Sequence, residues 1–442
     1  VLLSLAMTFR SYSAIILLTP LMFIVFVVYA YFNEKKCHVY FKDDFLKYKN
    51  DVAFLVKIKK IEPKSPYLTR LLAQLFFRKI FTRFCPVEYI GRENLPENQN
   101  ALFISNHLSY LDPFFLGADI HKNIRFLTTA EVFKKPRNRL FFHLMGSIPI
   151  KRFTKDPMGI RKFFKLMHKG YSVGYFPEGR RSWTGKPSEF PDGVLRLFKK
   201  TPIPIIPVSL AGLYAVWPRW AKKMRRARVQ VKFHKPFMLT KDMTEEFALK
   251  KIYALLYTDE KEFTDKILSK GKINGGINML LWRCPVCGEL DSIVEAGKNK
   301  LYCKKCLAEG ILTTDNRLKM KINHKYQTET FNFWYEKLSN YCIDDILNKE
   351  LKSGKSILYM GNFPKIKKVD TGTLSLGNSS FKYDGKKQHR FKFSDIKQLH
   401  TEGYRVLHFI TRKIQVQIKF LEESPLKWER FYKEMLIRSH KD

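Results

Sequence analysis

The stretch Ala101-Leu102-Phe103-Ile104-Ser105-Asn106-His107-Leu108-Ser109-Tyr110-Leu111-Asp112 decides how this 442-residue chain is read. Its first five residues have the length and apolar content of a buried strand. A polar segment then places an imidazole five positions before a carboxylate. If a helix opens near His107, that spacing is a little over one turn, and the two side chains can meet. A carboxylate on one ring nitrogen would leave the other basic enough to take a proton.

Outward from this segment, residues 87–235 alternate short β-rich runs with helical patterns. The strand-like runs are 101–105, 148–151, 172–176 and 203–210; the helix-like ones are 136–145 and 158–168. This alternation predicts an α/β domain with helices packed on a mainly parallel sheet. Three further segments carry chemistry. Gly146-Ser147-Ile148-Pro149-Ile150-Lys151-Arg152 ends a strand on two cations. Phe176-Pro177-Glu178-Gly179-Arg180-Arg181-Ser182 gathers a carboxylate, a flexible glycine and two guanidiniums. Pro204-Ile205-Ile206-Pro207-Val208 follows. The arginine fork matches two phosphate oxygens, and Gly179 lets the backbone approach an anion. Any one of these alone also reads as a turn with solvated arginines.

Together, in this order, the four segments resemble the four sequence blocks of the glycerolipid acyltransferase superfamily, most closely the lysophosphatidate (1-acyl-sn-glycerol-3-phosphate) acyltransferases. The resemblance covers about a third of the chain and implies roles for its residues. His107 would be the general base on the free glycerol hydroxyl, oriented by Asp112. The alkoxide would attack an acyl thioester, acyl-CoA or acyl-ACP, and yield phosphatidate. No Gly-x-Ser-x-Gly elbow is present, so an acyl-serine intermediate is not indicated. The acceptor phosphate would lie on Arg152, Glu178, Gly179 and Arg181, and Pro207 would belong to the acyl-donor side. Arg180 stands where the family usually has Thr; an extra cation there would strengthen phosphate binding or suit another head group.

With 80 Lys+Arg against 41 Asp+Glu the net charge is +39, so a partner with fixed negative charge is expected. Hydrophobic residues at 45% exclude a disordered basic tail or histone-like chain. Residues 12–32 carry no charge over 21 positions, long enough for one transmembrane helix. Arg10 precedes them and Lys35-Lys36 follow, which places the bulk of the chain on the cytoplasmic face; a cleaved signal peptide is the competing reading. Residues 67–84 form a basic amphipathic pattern suited to a membrane interface or to packing on the next domain. Residues 217–236 hold eight Lys/Arg, no acid, and Trp217 and Trp220, and read as a surface facing membrane or phosphate, or else a solvated loop. A helical stretch is expected over 244–270.

Seven cysteines do not make a disulfide scaffold. Cys284-Pro285-Val286-Cys287 and Cys303-Lys304-Lys305-Cys306, 15 residues apart, have the spacing of a closed zinc ribbon, with Zn2+ in a structural role. Beyond it, short strands and a final helix from Pro425 resemble pleckstrin-homology-like or GRAM-like domains.

The expected organisation is thus a membrane anchor (1–36), an interfacial helical segment (37–86), the acyltransferase domain (87–272), a zinc ribbon (280–312), a helical linker (318–353) and a small β-rich PH-like domain (354–442). The expected partners are a lysophospholipid, an acyl thioester, an anionic membrane and acyl carrier protein, with nucleic acid not expected. The alternative is a non-catalytic adaptor that binds membrane or nucleic acid through the ribbon and basic surface.

Overall fold

Three sheets follow one another along the chain. The computed structural model describes residues 79–439, apart from 98, 119, 121–123, 135, 151–155, 192, 241, 258–262, 264–265, 270–271, 339–340, 342–350, 363–364 and 413. The expected anchor, most of the interfacial segment and Arg152 lie outside the described residues. Among the described residues no helix is long and apolar enough to cross a membrane.

The first sheet has seven strands: β1 (Val87–Ile90), β2 (Leu102–Ser105), β3 (Ile124–Thr129), β4 (Ile148–Ile150), β5 (Ser172–Tyr175), β6 (Ile205–Ala211) and β7 (Val229–Phe233). Their order is β1-β7-β6-β2-β5-β3-β4. From β6 to β4 every pairing is parallel; β7 runs antiparallel to β6, and β1 parallel to β7. The sheet is therefore mainly parallel, as the alternating pattern predicts. β2 and β6 are buried along their whole length, because layers cover both faces. The helices here are α1 (Asp112–Gly117), α2 (Pro136–Leu144), α3 (Pro157–His168), α4 (Val194–Lys199), α5 (Leu213–Val216) and α6 (Glu245–Leu256). The α3 cap is Asp156, accepting from the Gly159 N–H, and the α6 cap is Thr244, accepting from the Phe247 N–H. The helix expected to 270 stops at Leu256, where Tyr257 turns extended. Ile267 instead bridges Ala227 and donates to the Thr314 carbonyl, so tertiary partners take over that backbone.

The second sheet is an antiparallel meander of β8 (Ile293–Ala296), β9 (Lys300–Cys303), β10 (Glu309–Leu312), β11 (Leu318–Ile322) and β12 (Lys325–Glu329). The expected helical linker is thus corrected: 318–329 are strands, and helix begins only with α7 (Phe331–Leu338). Leu318 and Met320 are buried between less buried Lys319 and Lys321, the two-residue period of a sheet. The third unit runs from β13 (Leu351–Lys352) through β14 (Ser356–Asn362), β15 (Lys365–Leu376), β16 (Ser380–Asp384) and β17 (Gln388–Lys392). It continues with β18 (Ile396–Glu402), β19 (Val406–Thr411), β20 (Gln415–Phe420) and α8 (Pro425–Ser439). Pairing of β14 with β20 joins its two meanders, and α8 covers them with Trp428, Phe431 and Tyr432.

One apolar core runs through all three sheets. Phe331 packs its ring 5.9 Å from Tyr214 and 5.4 Å from Trp220, and Trp282 lies 5.6 Å from Phe431. This changes the reading of residues 217–236. Trp220, Arg219 and Arg225 are interior, while Lys222, Lys223, Arg226 and Arg228 remain exposed. The buried arginines turn their guanidinium tips to carbonyls: Arg225 Nη1 donates to Ile273 O and Nη2 to Tyr214 O.

Candidate active site

The central strand β2 leads into the expected His-Asp pair. His107 Nδ1 lies 2.7 Å from Asp112 Oδ2, and Asp112 is fully buried. The helix does not open near His107; it opens at Asp112 itself, with Pro113 in its first turn. What joins the pair is a tight loop in which the Asp112 carboxylate also accepts from the Leu108 N–H at 2.6 Å and the Ser109 N–H at 2.9 Å. These donors satisfy a buried carboxylate that would otherwise be costly. Its contact to Nδ1 orients the ring so that Nε2 is the nitrogen able to take a proton. The His107 ring is stacked on Phe176 at 4.4 Å.

The loop after β5 holds the histidine from behind. Glu178 Oε1 accepts from the His107 N–H at 2.7 Å, and the Ser182 N–H donates to the His107 carbonyl at 2.8 Å. Glu178 Oε2 accepts from the Ser188 N–H at 2.8 Å. Both Glu178 oxygens are thus occupied by backbone, and the side chain is buried. Burial pushes its pKa up to about 8, against the two amide donors that favour the carboxylate, while the Asp112 charge adds to the rise. Glu178 therefore positions His107 rather than facing the cavity. Asn106, which the sequence reading did not single out, does similar work: its amide donates to Leu210 O and accepts from the Leu210 N–H, pinning β2 to β6.

His107 opens into a cavity of about 1380 Å³. Gly179, Arg180 and Arg181 line it too; Glu178, Asp112 and Pro207 do not. Pro207 is instead buried within β6, opposite Ile104 of β2. Gly179 has φ +64°, the left-handed backbone its residue type favours. The Arg181 guanidinium lies 3.4 Å from the Tyr110 ring centroid. Arg180, the residue standing in place of Thr, reaches Glu429 Oε1 of α8 at 3.1 Å. Its charge is thus answered inside the protein, by the C-terminal helix.

One side of the cavity is apolar, with Phe114, Phe126, Val132, Phe141 and Met145 from the first sheet and its helices. The other side comes from β18 and the β19–β20 hairpin, including Lys397, Gln398, Thr401 and Arg412. Arg219 ties the two sides. Fully interior, it donates to Gly403 O at 2.6 Å, Thr401 O at 2.5 Å and Arg181 O at 3.3 Å, with Trp183 against its face. Trp183 Nε1 also donates to Thr401 Oγ1, and Glu429 Oε2 accepts from the Thr401 N–H.

The four paired-spacing cysteines converge. Their sulfurs all lie within 4.8 Å of one another; Cys284 and Cys306 are 3.8 Å apart, Cys287 and Cys303 3.7 Å. Four thiolates about 2.3 Å from a tetrahedral zinc would be about 3.8 Å apart, so the donor set fits that ion. The two knuckles repeat one geometry. Val286 N–H and Lys305 N–H point at Cys284 and Cys303 sulfur. Gly288 N–H returns to Cys284 O, and Leu307 N–H to Cys303 O. Gly288 and Leu307 both take positive φ, +74° and +57°. A Cβ on Gly288 would meet the Tyr341 ring at 2.6 Å. Leu307 meets the same backbone demand without glycine, and the cysteine spacing alone did not flag it.

Residues 86–211, which carry the first sheet's strands up to β6 and the His107–Asp112 pair, match the family model described as Acyltransferase. Over 181 residues the chain is 31% identical to the 1-acyl-sn-glycerol-3-phosphate acyltransferase LPAT1, chloroplastic, of Arabidopsis thaliana, covering 40% of this chain and 50% of that protein. It is also 31% identical over 159 residues to the corresponding BAT2, chloroplastic, of Brassica napus, covering 35% and 45%. The chain spans about half the length of these relatives. The crystal structure of the 1-acyl-sn-glycerophosphate (LPA) acyltransferase PlsC from Thermotoga maritima aligns with a TM-score of 0.37 at 23% identity, over 53% of this chain and 93% of that one.

Proposed function

We propose that the chain is an O-acyltransferase that moves an acyl group from a thioester to the free hydroxyl of 1-acylglycerol-3-phosphate, yielding phosphatidate. The observation that carries this is His107, paired with a buried Asp112, opening into a cavity with one apolar and one cationic side. An acyl chain suits the first side and a phosphate the second. His107 Nε2 takes the hydroxyl proton as the oxygen adds to the thioester carbonyl. The carbon–sulfur bond then breaks, and the thiolate leaves with the proton from the imidazolium. Asp112 stabilises the imidazolium; Glu178 and Ser182 fix the backbone that carries the ring. Arg181 and Gly179 would face the acceptor phosphate, and Arg152 would join them.

The uncharged run at 12–32 and the +39 charge support action at an anionic membrane surface. The four-cysteine cluster would hold one structural Zn2+, adding metal bonds between two knuckles that already share the β8–β9 pairing and the Lys304 N–H to Ser292 carbonyl bond. The meander closed by α8 supports a PH- or GRAM-like C-terminal domain.

His107→Ala tests the reading. Acyl transfer to lysophosphatidate should fall by about 10²–10⁴-fold, the usual contribution of a general base, with folding intact by circular dichroism. Undiminished transfer sinks the mechanism, and no transfer by the wild type to any lysophospholipid favours the adaptor.

A further inference from the structure

The C-terminal β unit sits on the same cavity as His107, although the family match ends at residue 211. Its cations differ from those on the opposite side. Arg180 is paired with Glu429, Arg219 is sunk among carbonyls, and Arg181 lies flat on Tyr110. Among the described lining residues, the exposed cations are Lys397 and Arg412.

Their placement is specific. Along the β18–β19 ladder Ile396 opposes Thr411 and Gln398 opposes Ile410, which leaves Lys397 as the extra residue of a β-bulge. Bulges re-aim a side chain and occur beside functional sites. Arg412 stands at the end of β19, on the hairpin that leads to β20. Its nearest carboxylate, Asp395, is 3.7 Å away with both groups solvent-exposed, a weak pair in water. Gln398 and Gln415 line the same wall. The carboxylate of Glu402 is taken up by Gln417 and His408. The wall thus offers two cations and two amides across from an apolar surface, the donor set for phosphate oxygens on an acyl-bearing amphiphile.

We propose that the C-terminal β unit completes the substrate site, with Lys397 and Arg412 binding the phosphate-bearing end of a substrate whose acyl chain lies on the opposite wall. The inference rests on the acyl-transfer reading for the nature of that substrate. Two sources carry this chemistry: the lysophospholipid phosphate and the phosphates of a coenzyme A thioester. Thr401, Glu429 and Arg219 hold the wall in place, and Lys397 and Arg412 make the contact.

The test uses the full chain carrying Lys397→Ala with Arg412→Ala, both at exposed positions, with its melting temperature matched to wild type. KM for one phosphate-bearing substrate should rise about tenfold or more, the effect of losing charge-assisted bonds, with kcat within about twofold. A rise confined to lysophosphatidate assigns the acceptor phosphate; one confined to acyl-CoA assigns the donor. Lys397→Arg with Arg412→Lys should recover most of the loss. Unchanged KM for both substrates overturns the proposal. If wild type transfers no acyl group, equilibrium binding of lysophosphatidate and acyl-CoA decides it. Weaker binding by the alanine variant then keeps the phosphate wall while the enzyme reading fails, and equal affinities sink the wall as well.

Discussion

The two sides of the cavity are held by different means. On the side built from the first sheet, His107 and Asp112 are five residues apart, and three short bonds from one loop fix the carboxylate. On the other side, Lys397, Gln398 and Arg412 come from a bulged strand and a hairpin nearly 300 residues further along. That wall is fixed to the first by a few buried polar links: Arg219 to Thr401 and Gly403, and Glu429 to Arg180 and Thr401. A side-chain pair made locally survives small shifts of the fold. A wall made at long range depends on each of its ties and on the core beneath them.

The far wall is most vulnerable at the cysteine cluster, which lies between the two halves in sequence. Treatment with a strong chelator, or Cys287→Ser, should release one zinc per chain and cost most of the stability of the C-terminal half, because structural zinc binding is worth about 10–16 kcal/mol in small modules. Metal analysis and thermal unfolding measure this. A chain with no zinc and an unchanged melting temperature would mean that the far wall stands without a metal at the cysteine cluster.

A smaller effect is expected at the tie itself. Glu429→Ala leaves Arg180 without its carboxylate and the Thr401 N–H without its acceptor. Arg180 is about a third exposed, so the cost is discounted to about 2–3 kcal/mol. Urea unfolding reads the loss, and KM should rise while kcat changes less. An unchanged midpoint would show that the apolar core alone sets the wall.

A pH-dependent effect separates Glu178 from its neighbours. A carboxyl whose pKa is raised on folding contributes stability that is fully present below its ordinary value near 4.5 and lost as pH climbs through about 8. Wild type should therefore lose more stability between pH 5 and 8 than Glu178→Gln does. Melting curves at three pH values check the slope, and parallel slopes would remove Glu178 as their cause.

Much of the first wall could be read from the chain. The strand before His107, the His-x4-Asp spacing, the Gly179 turn and the cysteine knuckles are all local patterns, and local patterns carry their geometry with them. The condition of a helix opening near His107 proved unnecessary for an instructive reason. A carboxylate that accepts two loop N–H groups makes the same contact without a helical turn. Arg180 was legible as a departure from Thr, but its meaning was not, since Glu429 lies 249 residues away. In the same way Trp220, Arg219 and Arg225 read as a cationic surface until their carbonyl partners came into view.

By itself, the sequence determined the alternating α/β pattern, the His107–Asp112 pairing, the metal-type cysteine spacing and the net charge, because each depends on residues close together or simply on a sum. Tertiary structure alone decided which arginines are interior, that Glu178 holds backbone instead of facing the cavity, and that the C-terminal unit forms its second wall. Those outcomes hang on burial and on partners far apart in the chain. A guanidinium or carboxylate takes its role from the dielectric and the hydrogen-bond donors or acceptors around it, and no spacing rule encodes these.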